Sequence, residues 1–309
     1  PSNCNRYFTF MDDMMIPTLI PSFDGFYLFC NLYECESPKI LVQIVHGVVE
    51  YKGRYDAFAR YLVGYGCCTL VCDQRGHGQS IDGHFTRGYM PKASVLVEDQ
   101  KAINQALHDL HPDVPLVMIA HSFGSNIARM YLKSYDWTID GLIMSGPPCY
   151  VPGIGIGLAV VKLLIRLLGE RGYGFISSKL TTSASLKWVC SDPTVIEQRR
   201  TDPYIKNFRY QLAAIQTIFE SVKALHESSS SRQRNHLLPI LCLSGSDDPI
   251  PGGPKGLADT CDSLQKLGYQ EVTSHVFENM RHEVLNELNK KIVYQMIITF
   301  MDALVGKSS

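Results

Sequence analysis

Short apolar runs of strand length alternate with segments of helical spacing along most of the chain, and this alternation limits the folds that it can adopt. Cys67–Asp73 is continuously apolar up to a final acid, as in a strand buried on both faces. Ser94–Leu110 follows with apolar residues spaced for one face of a helix. Such alternation predicts an α/β fold in which helices cover both faces of a mostly parallel sheet.

Further elements follow from the same two periodicities. Strands are predicted at Phe26–Tyr33, Lys39–Val45, Pro115–Ile119, Gly141–Met144, Pro239–Leu243 and Glu271–Phe277. Helices are predicted at Tyr55–Gly64, Asn126–Tyr135 and Tyr210–His226, and from about Glu283 to Val305. We interpret Ser228–Ser231 as a loop that leads back to the last strands.

The strand pattern stops after residue 147 and resumes after residue 235. We therefore predict an N-terminal part of the core at 1–147, a helical cap or lid at 148–235, and a C-terminal part of the core at 236–309. Gly155–Leu168 is a strongly apolar helix, with Lys162 and Arg166 on its polar side. Packing inside the protein would explain part of its apolar surface. The rest predicts a lid that lines an acyl tunnel and touches a membrane surface.

Charge and cysteine usage exclude some classes of partner and cofactor. Lys and Arg number 29 against 30 for Asp and Glu, which gives no electrostatic reason to expect nucleic acid. No apolar run reaches the ~18–20 residues of a membrane span. Several of the ten cysteines lie in apolar strand-like runs, and no ligand spacing is present. We expect reduced structural thiols, a cytoplasmic protein, and neither a metal nor an organic cofactor. The first residues give no targeting information, and the oligomeric state is not predicted.

The segment LVMIAHSFGSNIARM, residues 116–130, places Ser122 between a strand-like run and a helix-forming stretch. At such a turn the hydroxyl clears the end of the sheet, and the helix N-terminus faces a developing oxyanion. The turn requires small residues two positions before and after the serine, which Ala120 and Gly124 satisfy. The segment thus predicts a nucleophile, with a small polar turn of no catalytic role as the alternative.

Three other segments carry residues that such a nucleophile needs. VHGVVEYKGRY, residues 45–55, follows an early strand, and there Gly47 lets the backbone approach a ligand while the Val48 N–H is free to face a cleft. LSGSDDPIP, residues 243–251, and ENMRHEVLNE, residues 278–287, place Asp248 and His282 after later strands. Singly these are an ordinary turn, solvated acids and an inert histidine. Together they follow the order Ser, Asp, His at the sheet edge where open α/β folds bind ligands.

Five motifs resemble the α/β-hydrolases of the monoacylglycerol lipase and lysophospholipase group: HGVVEYKGRY, DQRGHGQS, AHSFG, GSDDPI and RHEVLNE. The likeness extends from about Pro17 to Val305 and is looser in the insertion, where LKWVCSDPTVIEQRRTDP still looks like the cap segment of the group. The sequence departs from the group at Ala120, and at Val48-Val49, where relatives often have a small residue. The resemblance implies an α/β-hydrolase fold with a helical cap.

Carried over by residue, the resemblance makes Ser122 the nucleophile, His282 the general base and acid, and Asp248 the group that orients His282. Asp247 is the rival acid, but Asp248 stands three residues after Gly245, as in the pattern of the group. The backbone N–H groups of Val48 and Phe123 would form the oxyanion hole. Supporting positions are His46, Gly47, His121 and Gly124, together with Arg75 and His77 of the DQRGHGQS loop.

The predicted reaction is hydrolysis of a carboxylic ester that carries one acyl chain, through an acyl-enzyme. Monoacylglycerol is the first substrate choice, and a lysophospholipid or a simpler carboxylic ester is the second. A related aminopeptidase of the proline-iminopeptidase type is an alternative, in which Glu197 and Asp202 would hold a substrate amine. A non-catalytic ligand-binding homologue is the alternative from a different class.

Overall fold

The computed structural model describes residues 15–173, 186–226 and 233–308. Its eight strands form one sheet in the order β1-β2-β4-β3-β5-β6-β7-β8. The pairs β1–β2 and β2–β4 are antiparallel, and all other neighbours are parallel. The strands are β1 Met15–Pro21, β2 Tyr27–Tyr33, β3 Ile40–Val45, β4 Cys67–Cys72, β5 Leu116–His121, β6 Gly141–Ser145, β7 Ile240–Gly245 and β8 Val272–Phe277.

The helices flank this sheet and connect its strands. They are α1 Asp56–Val63, α2 Ala93–Leu110, α3 Phe123–Tyr135, α4 Ile154–Leu168, α5 Pro193–Thr201, α6 Leu212–Ala224, α7 Gly253–Lys266 and α8 Lys290–Ser308. Short 3-10 turns lie at Lys52–Tyr55, Asp136–Thr138 and Leu186–Trp188. This arrangement is the α/β fold that the alternation of apolar runs predicts.

The central strands are buried on both faces because helices cover the sheet from both sides. Every residue of β3, β4 and β5 is buried. The alternate residues of these strands divide between two hydrophobic clusters, one on each face of the sheet. Continuous apolar runs are the expected composition of such strands. Because β3, β5, β6 and β7 run parallel to one another, their carboxyl ends lie at one edge of the sheet.

Several elements differ from the sequence-based expectations. The edge strand β1 and the helices α5 and α7 were not predicted, and α3 begins at Phe123 rather than Asn126. The last helix begins at Lys290, not near Glu283, because residues 283–289 form a loop. In this loop Glu287 accepts hydrogen bonds from the backbone N–H groups of Ser191 and Arg281. The predicted loop at Ser228–Ser231 lies outside the described residues.

One pair of cysteines contradicts the expectation of reduced thiols. Cys30 and Cys72 face each other across β2 and β4 and form a disulfide. Directly opposed residues of antiparallel strands lie close enough for their side chains to meet, and sequence separation gives no sign of such pairing. In the described residues the remaining cysteines are free, among them Cys67, Cys68 and Cys242.

A helical insertion separates β6 from β7, although these strands are neighbours in the sheet. It contains α4, α5 and α6, and α4 packs against α6. Leu158 and Val161 are the buried residues of α4. Its outer side exposes apolar residues, with Ile156 75% and Leu167 71% exposed. None of the helices in the described ranges combines the length and apolar character needed to cross a bilayer.

Candidate active site

Ser122 lies at the tight connection between β5 and α3. Its backbone has φ 51° and ψ −123°, a conformation that a residue other than glycine rarely adopts. The Ser122 N–H donates to the Ser145 carbonyl oxygen at 2.8 Å, which ties the turn to the end of β6. A Cβ at Gly124 would lie 2.4 Å from the Val45 carbonyl oxygen, so the turn has no space for a larger residue there. Ala120, two residues before the serine, is accommodated and fully buried.

The three side chains predicted to act together are in hydrogen-bond contact. His282 Nε2 lies 2.9 Å from Ser122 Oγ, and His282 Nδ1 lies 2.8 Å from Asp248 Oδ2. All three residues are at least 95% buried. The other Asp248 oxygen accepts the Ile250 N–H at 2.9 Å. This arrangement lets the imidazole take a proton from the hydroxyl while the carboxylate holds the opposite ring nitrogen.

The structure distinguishes the two neighbouring acids after β7. Asp248 is buried against His282, whereas Asp247 is exposed and its carboxylate accepts from the Ser246 hydroxyl at 3.0 Å. Only Asp248 is therefore placed to orient the histidine.

In the loop after β3, one backbone N–H group beside Ser122 has no hydrogen-bond acceptor among the described residues. The Gly47 N–H donates to Glu50 Oε2, and the Val49 N–H donates to Tyr210 Oη, both at 2.8 Å. In the described part of the chain, the Val48 N–H has no such acceptor. Phe123 is the first residue of α3, so its N–H has no acceptor inside the helix. These two N–H groups are the pair that sequence analysis selects for an oxyanion hole.

The supporting histidines of the site are buried and hold backbone groups. His46 Nε2 accepts the Gln74 N–H at 2.9 Å, so His46 Nδ1 carries the proton toward the Gly47 carbonyl oxygen at 2.8 Å. His121 Nδ1 lies 3.1 Å from the Ser145 carbonyl oxygen, and its ring contacts that of His282. Burial lowers the pKa of both His46 and His121. Neither of them contacts the Ser122 hydroxyl.

The arginine and the histidine of the DQRGHGQS loop have different roles. The arginine holds the loop in place, and the histidine lies closer to Ser122. The Arg75 guanidinium is fully buried and binds the carboxylates of Asp99 and Asp24 at 2.7–2.8 Å. His77 lies closer to the site and binds Tyr210 Oη at 2.8 Å. Arg75 therefore anchors the loop away from Ser122, and His77 reaches the site through Tyr210.

A buried charge cluster beside the triad was not found by sequence reasoning. Arg54 donates to Glu50 at 3.2 Å and also to Glu283, the residue after His282. Arg199 of α5 donates to Glu283 from the other side. Burial alone would raise the pKa of Glu50 and Glu283, but the surrounding charges outweigh burial and hold both pKa values below the usual range. Motif spacing gives no signal for such contacts, which join residues up to 229 positions apart.

A cavity of about 480 Å³ opens in front of Ser122. Apolar residues line much of it, including Val48, Leu186, Trp188, Ile205 and Ile250. None of the described lining residues belongs to α4. The prediction that this helix lines the cavity is therefore wrong within the described residues. The segment around Leu186–Trp188 and the connection after α5 take that place.

Two further observations concern other binding sites in the described residues. A second cavity, of about 810 Å³, lies near Lys133 and Trp137 and contains none of the triad residues. In residues 15–173, 186–226 and 233–308, no three side chains of the His, Cys, Asp and Glu types are grouped as metal ligands would be.

Comparison with known sequences places this geometry among related proteins. The family model described as "Serine aminopeptidase, S33" matches residues 36–289. The monoglyceride lipase of Mus musculus is 32% identical over 283 residues, which cover 88% of this chain and 85% of that protein. The monoacylglycerol lipase of Mycolicibacterium smegmatis is 26% identical over 266 residues, which cover 85% of this chain and 88% of that protein.

A solved structure gives the same fold. The thermostable carboxyl esterase of Bacillus coagulans, crystallised in complex with glycerol, superimposes with a TM-score of 0.82 at 22% identity. The match covers 94% of this chain and 99% of the esterase. The α/β-hydrolase fold predicted from the sequence is thereby confirmed.

Proposed function

The chain belongs to the serine aminopeptidase S33 family of α/β-hydrolases, and on this basis we propose that it is a serine hydrolase of carboxylic esters with one acyl chain. The observation that carries the proposal is the continuous contact of Asp248, His282 and Ser122, at 2.8 and 2.9 Å. Ser122 and His282 line a cavity that also carries apolar residues, among them Trp188. Monoacylglycerol is the preferred substrate in this proposal, and a lysophospholipid is the second choice.

The proposed reaction proceeds through an acyl-enzyme. Ser122 Oγ attacks the ester carbonyl carbon while its proton passes to His282 Nε2. The oxyanion of the tetrahedral intermediate accepts hydrogen bonds from the N–H groups of Val48 and Phe123. The intermediate collapses, and the leaving alcohol takes the proton from His282. Water then attacks the acyl-enzyme by the same route and releases the carboxylic acid, while Asp248 stabilises the imidazolium in both steps.

The size and lining of the cavity support a substrate with one acyl chain. Its volume of about 480 Å³ is within the range of small-molecule sites, which favours a single chain over a bulky lipid. The names of both relatives describe lipases of monoacylglycerol. Apolar lining from Leu186, Ile205 and Ile250 would contact the chain, while His121 and Glu50 place polar groups on the same cavity.

The aminopeptidase alternative, which the family description also suggests, has less support. It requires free carboxylates that would hold a substrate amine, and Glu197 and Asp202 were the candidates. The Asp202 carboxylate accepts from the Tyr51 hydroxyl at 2.7 Å, and Glu197 is exposed beside Arg200. Neither residue is among the described residues that line the cavity. We therefore retain the ester hydrolase as the proposal.

Contact with a lipid surface through α4 is the second part of the proposal. Ile156, Val160, Leu163 and Leu167 recur at helical spacing, and each is at least 46% exposed. Lys162 lies on the polar side of the same helix and forms an ion pair with Glu220 at 3.4 Å. An exposed apolar stripe on a helix with a basic polar side is typical of helices that lie in a membrane interface. The cytoplasmic location stays a prediction.

The central experiment combines a nucleophile variant with a substrate series. Ser122→Ala should reduce the hydrolysis of p-nitrophenyl esters by more than about 10³-fold and abolish fluorophosphonate labelling, because the attacking oxygen is lost. Circular dichroism should show the same fold as the wild-type protein. Activity that persists in this variant would reject Ser122 as the nucleophile.

Acyl-chain preference tests the substrate class. Wild-type protein should cleave dodecanoyl esters with at least about tenfold higher kcat/KM than acetyl esters, because a longer chain fills more of the apolar cavity. The measurement extends to 1-monoacylglycerol and to a lysophospholipid with the same chain. Equal rates on acetyl and dodecanoyl esters would contradict the single-chain proposal.

A further inference from the structure

Side chains of the insertion bind both polar backbone atoms of Val49, in the loop that carries the proposed oxyanion donor. Tyr210 Oη accepts the Val49 N–H at 2.8 Å, and Arg199 Nη2 donates to the Val49 carbonyl oxygen at 3.3 Å. Val49 has φ 54°, a left-handed conformation that is strained for a β-branched residue. Such a conformation persists only where the surroundings hold it, and here the insertion supplies both contacts.

The Tyr210 hydroxyl has a fixed direction because His77 lies behind it. Burial lowers the pKa of His77 to about 3, so the ring is neutral. His77 Nδ1 faces the Arg75 carbonyl oxygen at 3.2 Å and therefore carries the proton. His77 Nε2 is then an acceptor, and the Tyr210 O–H donates to it at 2.8 Å. This leaves a Tyr210 lone pair for the Val49 N–H.

Arg199 also completes the charge balance of the loops on either side of Ser122. Glu50 directly follows Val49, and Glu283 directly follows His282. Arg54 is the core residue that pairs with both carboxylates, and Arg199 supplies the second positive charge. The side chains of these four residues are at least 91% buried. An unpaired charge at this depth is strongly unfavourable, so the loops depend on the arginine of the insertion.

We infer that Arg199 and Tyr210 are positioning residues that fix the oxyanion loop, so that the insertion completes the reaction centre as well as covering it. With both polar atoms of Val49 held, the preceding Val48 N–H stays beside Ser122. A lid that only admits substrate would need neither contact. The inference rests on the proposed function for the role of Ser122, and it goes beyond that function by assigning two residues of the insertion to the chemical step.

The first test is Tyr210→Phe, which removes the acceptor of the Val49 N–H but keeps the ring. The substrate is p-nitrophenyl butyrate, whose short chain contacts little of the cavity. We expect kcat per fluorophosphonate-titrated site to fall at least about tenfold with KM within about twofold, because a displaced oxyanion donor acts on the transition state. Tyr204→Phe is the matched control, since Tyr204 belongs to the same insertion and its ring packs on Tyr51 of the loop after β3. It should retain the wild-type kcat.

The second test separates the carbonyl contact of Arg199 from its charge. Arg199→Gln should lower kcat by a similar factor and lower Tm, whereas Arg209→Gln, a change at an exposed arginine of the insertion, should alter neither. Arg199→Lys should recover part of the kcat. Adding Glu283→Gln to Arg199→Gln should raise Tm again without restoring kcat, because the Val49 carbonyl still lacks its donor.

The two proposals fail in different ways. If Tyr210→Phe and Arg199→Gln keep the wild-type kcat while fluorophosphonate labels the wild-type protein, the positioning role is overturned and the proposed hydrolase stands. A uniform rise in KM without loss of kcat would likewise overturn it, since that result indicates lost substrate binding. Absence of labelling in the wild-type protein would remove the proposed function itself.

Discussion

Three consecutive N–H groups in the loop after β3 differ in their partners, and that difference supports Val48 as the proposed oxyanion donor. Glu50 binds the first, Tyr210 binds the third, and the Val48 N–H is left beside Ser122. The position of Val48 after a His-Gly pair predicts this role from the sequence. Tyr210 is not predictable in this way, because a contact across 161 residues leaves no periodic or spacing signal.

A matched pair of variants at the residue scale tests the choice between the two acids after β7. Asp248→Asn should lower kcat about 10³–10⁴-fold, because the amide no longer holds the ring in the required tautomer. Asp247→Asn makes the same change at an exposed neighbour and should leave kcat within about twofold. Kinetics on p-nitrophenyl butyrate would measure both variants. A large loss in Asp247→Asn alone would reverse the assignment.

At the scale of elements, the sequence predicted the strands that carry the site better than the segments that follow them. The apolar runs of β3, β5 and β7 have the length and composition of buried strands, and Val48, Ser122 and Asp248 follow them closely. Residues 283–289 form a loop although Glu283–Glu287 favour helix locally. The Glu283 carboxylate binds Arg199 of α5, and the Glu287 carboxylate accepts the Arg281 N–H. The edge strand β1 was missed, since Pro17 and Pro21 interrupt its pattern.

The connection after β6 gives a prediction at this scale. Gly146 has φ 56°, and a Cβ there would lie 2.7 Å from His282 Nδ1 and 3.0 Å from Asp248 Oδ2. Gly146→Ala should therefore lower kcat/KM by more than about tenfold, through displacement of the histidine.

Gly155→Ala is the control for this substitution. It adds the same methyl group in the first turn of α4, where nothing beyond the adjacent residues and the local helix backbone lies within 4 Å of the new Cβ. Activity should be unchanged, and Tm should rise slightly because alanine favours helix over glycine by up to about 1 kcal/mol. Equal activity of the two variants would show that the space beside His282 is not limiting.

At the scale of the whole molecule, the sequence predicted the α/β-hydrolase fold, and the similarity to monoacylglycerol lipases confirms the resemblance drawn from its motifs. The division into a core and a cap at 148–235 stays a prediction. How the insertion sits on the core could not be read from the sequence. The apolar composition of α4 suggested a cavity lining, whereas four of its residues form an outer stripe. The Cys30–Cys72 disulfide was missed for the same reason, since both depend on tertiary placement.

The outer stripe of α4 should matter only when the substrate is in a lipid phase. Leu163→Gln with Leu167→Gln should reduce sedimentation with phosphatidylcholine vesicles and lower the hydrolysis of vesicle-borne monoacylglycerol at least about fivefold, because less apolar area enters the interface. Hydrolysis of dissolved p-nitrophenyl butyrate should stay at the wild-type rate. Unchanged vesicle binding would argue against a membrane contact through this helix.

The hydrogen bonds of the insertion to the catalytic loops also bear on how this protein could be re-engineered. Besides holding Val49, the insertion accepts the His282 and Glu283 N–H groups on the carbonyl oxygens of Trp188 and Val189, at 3.4 and 2.8 Å. A chimera that received the cap of another hydrolase to change its specificity would also lose these contacts. A cap exchange should therefore include the loops after β3 and β8, so that all three segments come from the same protein.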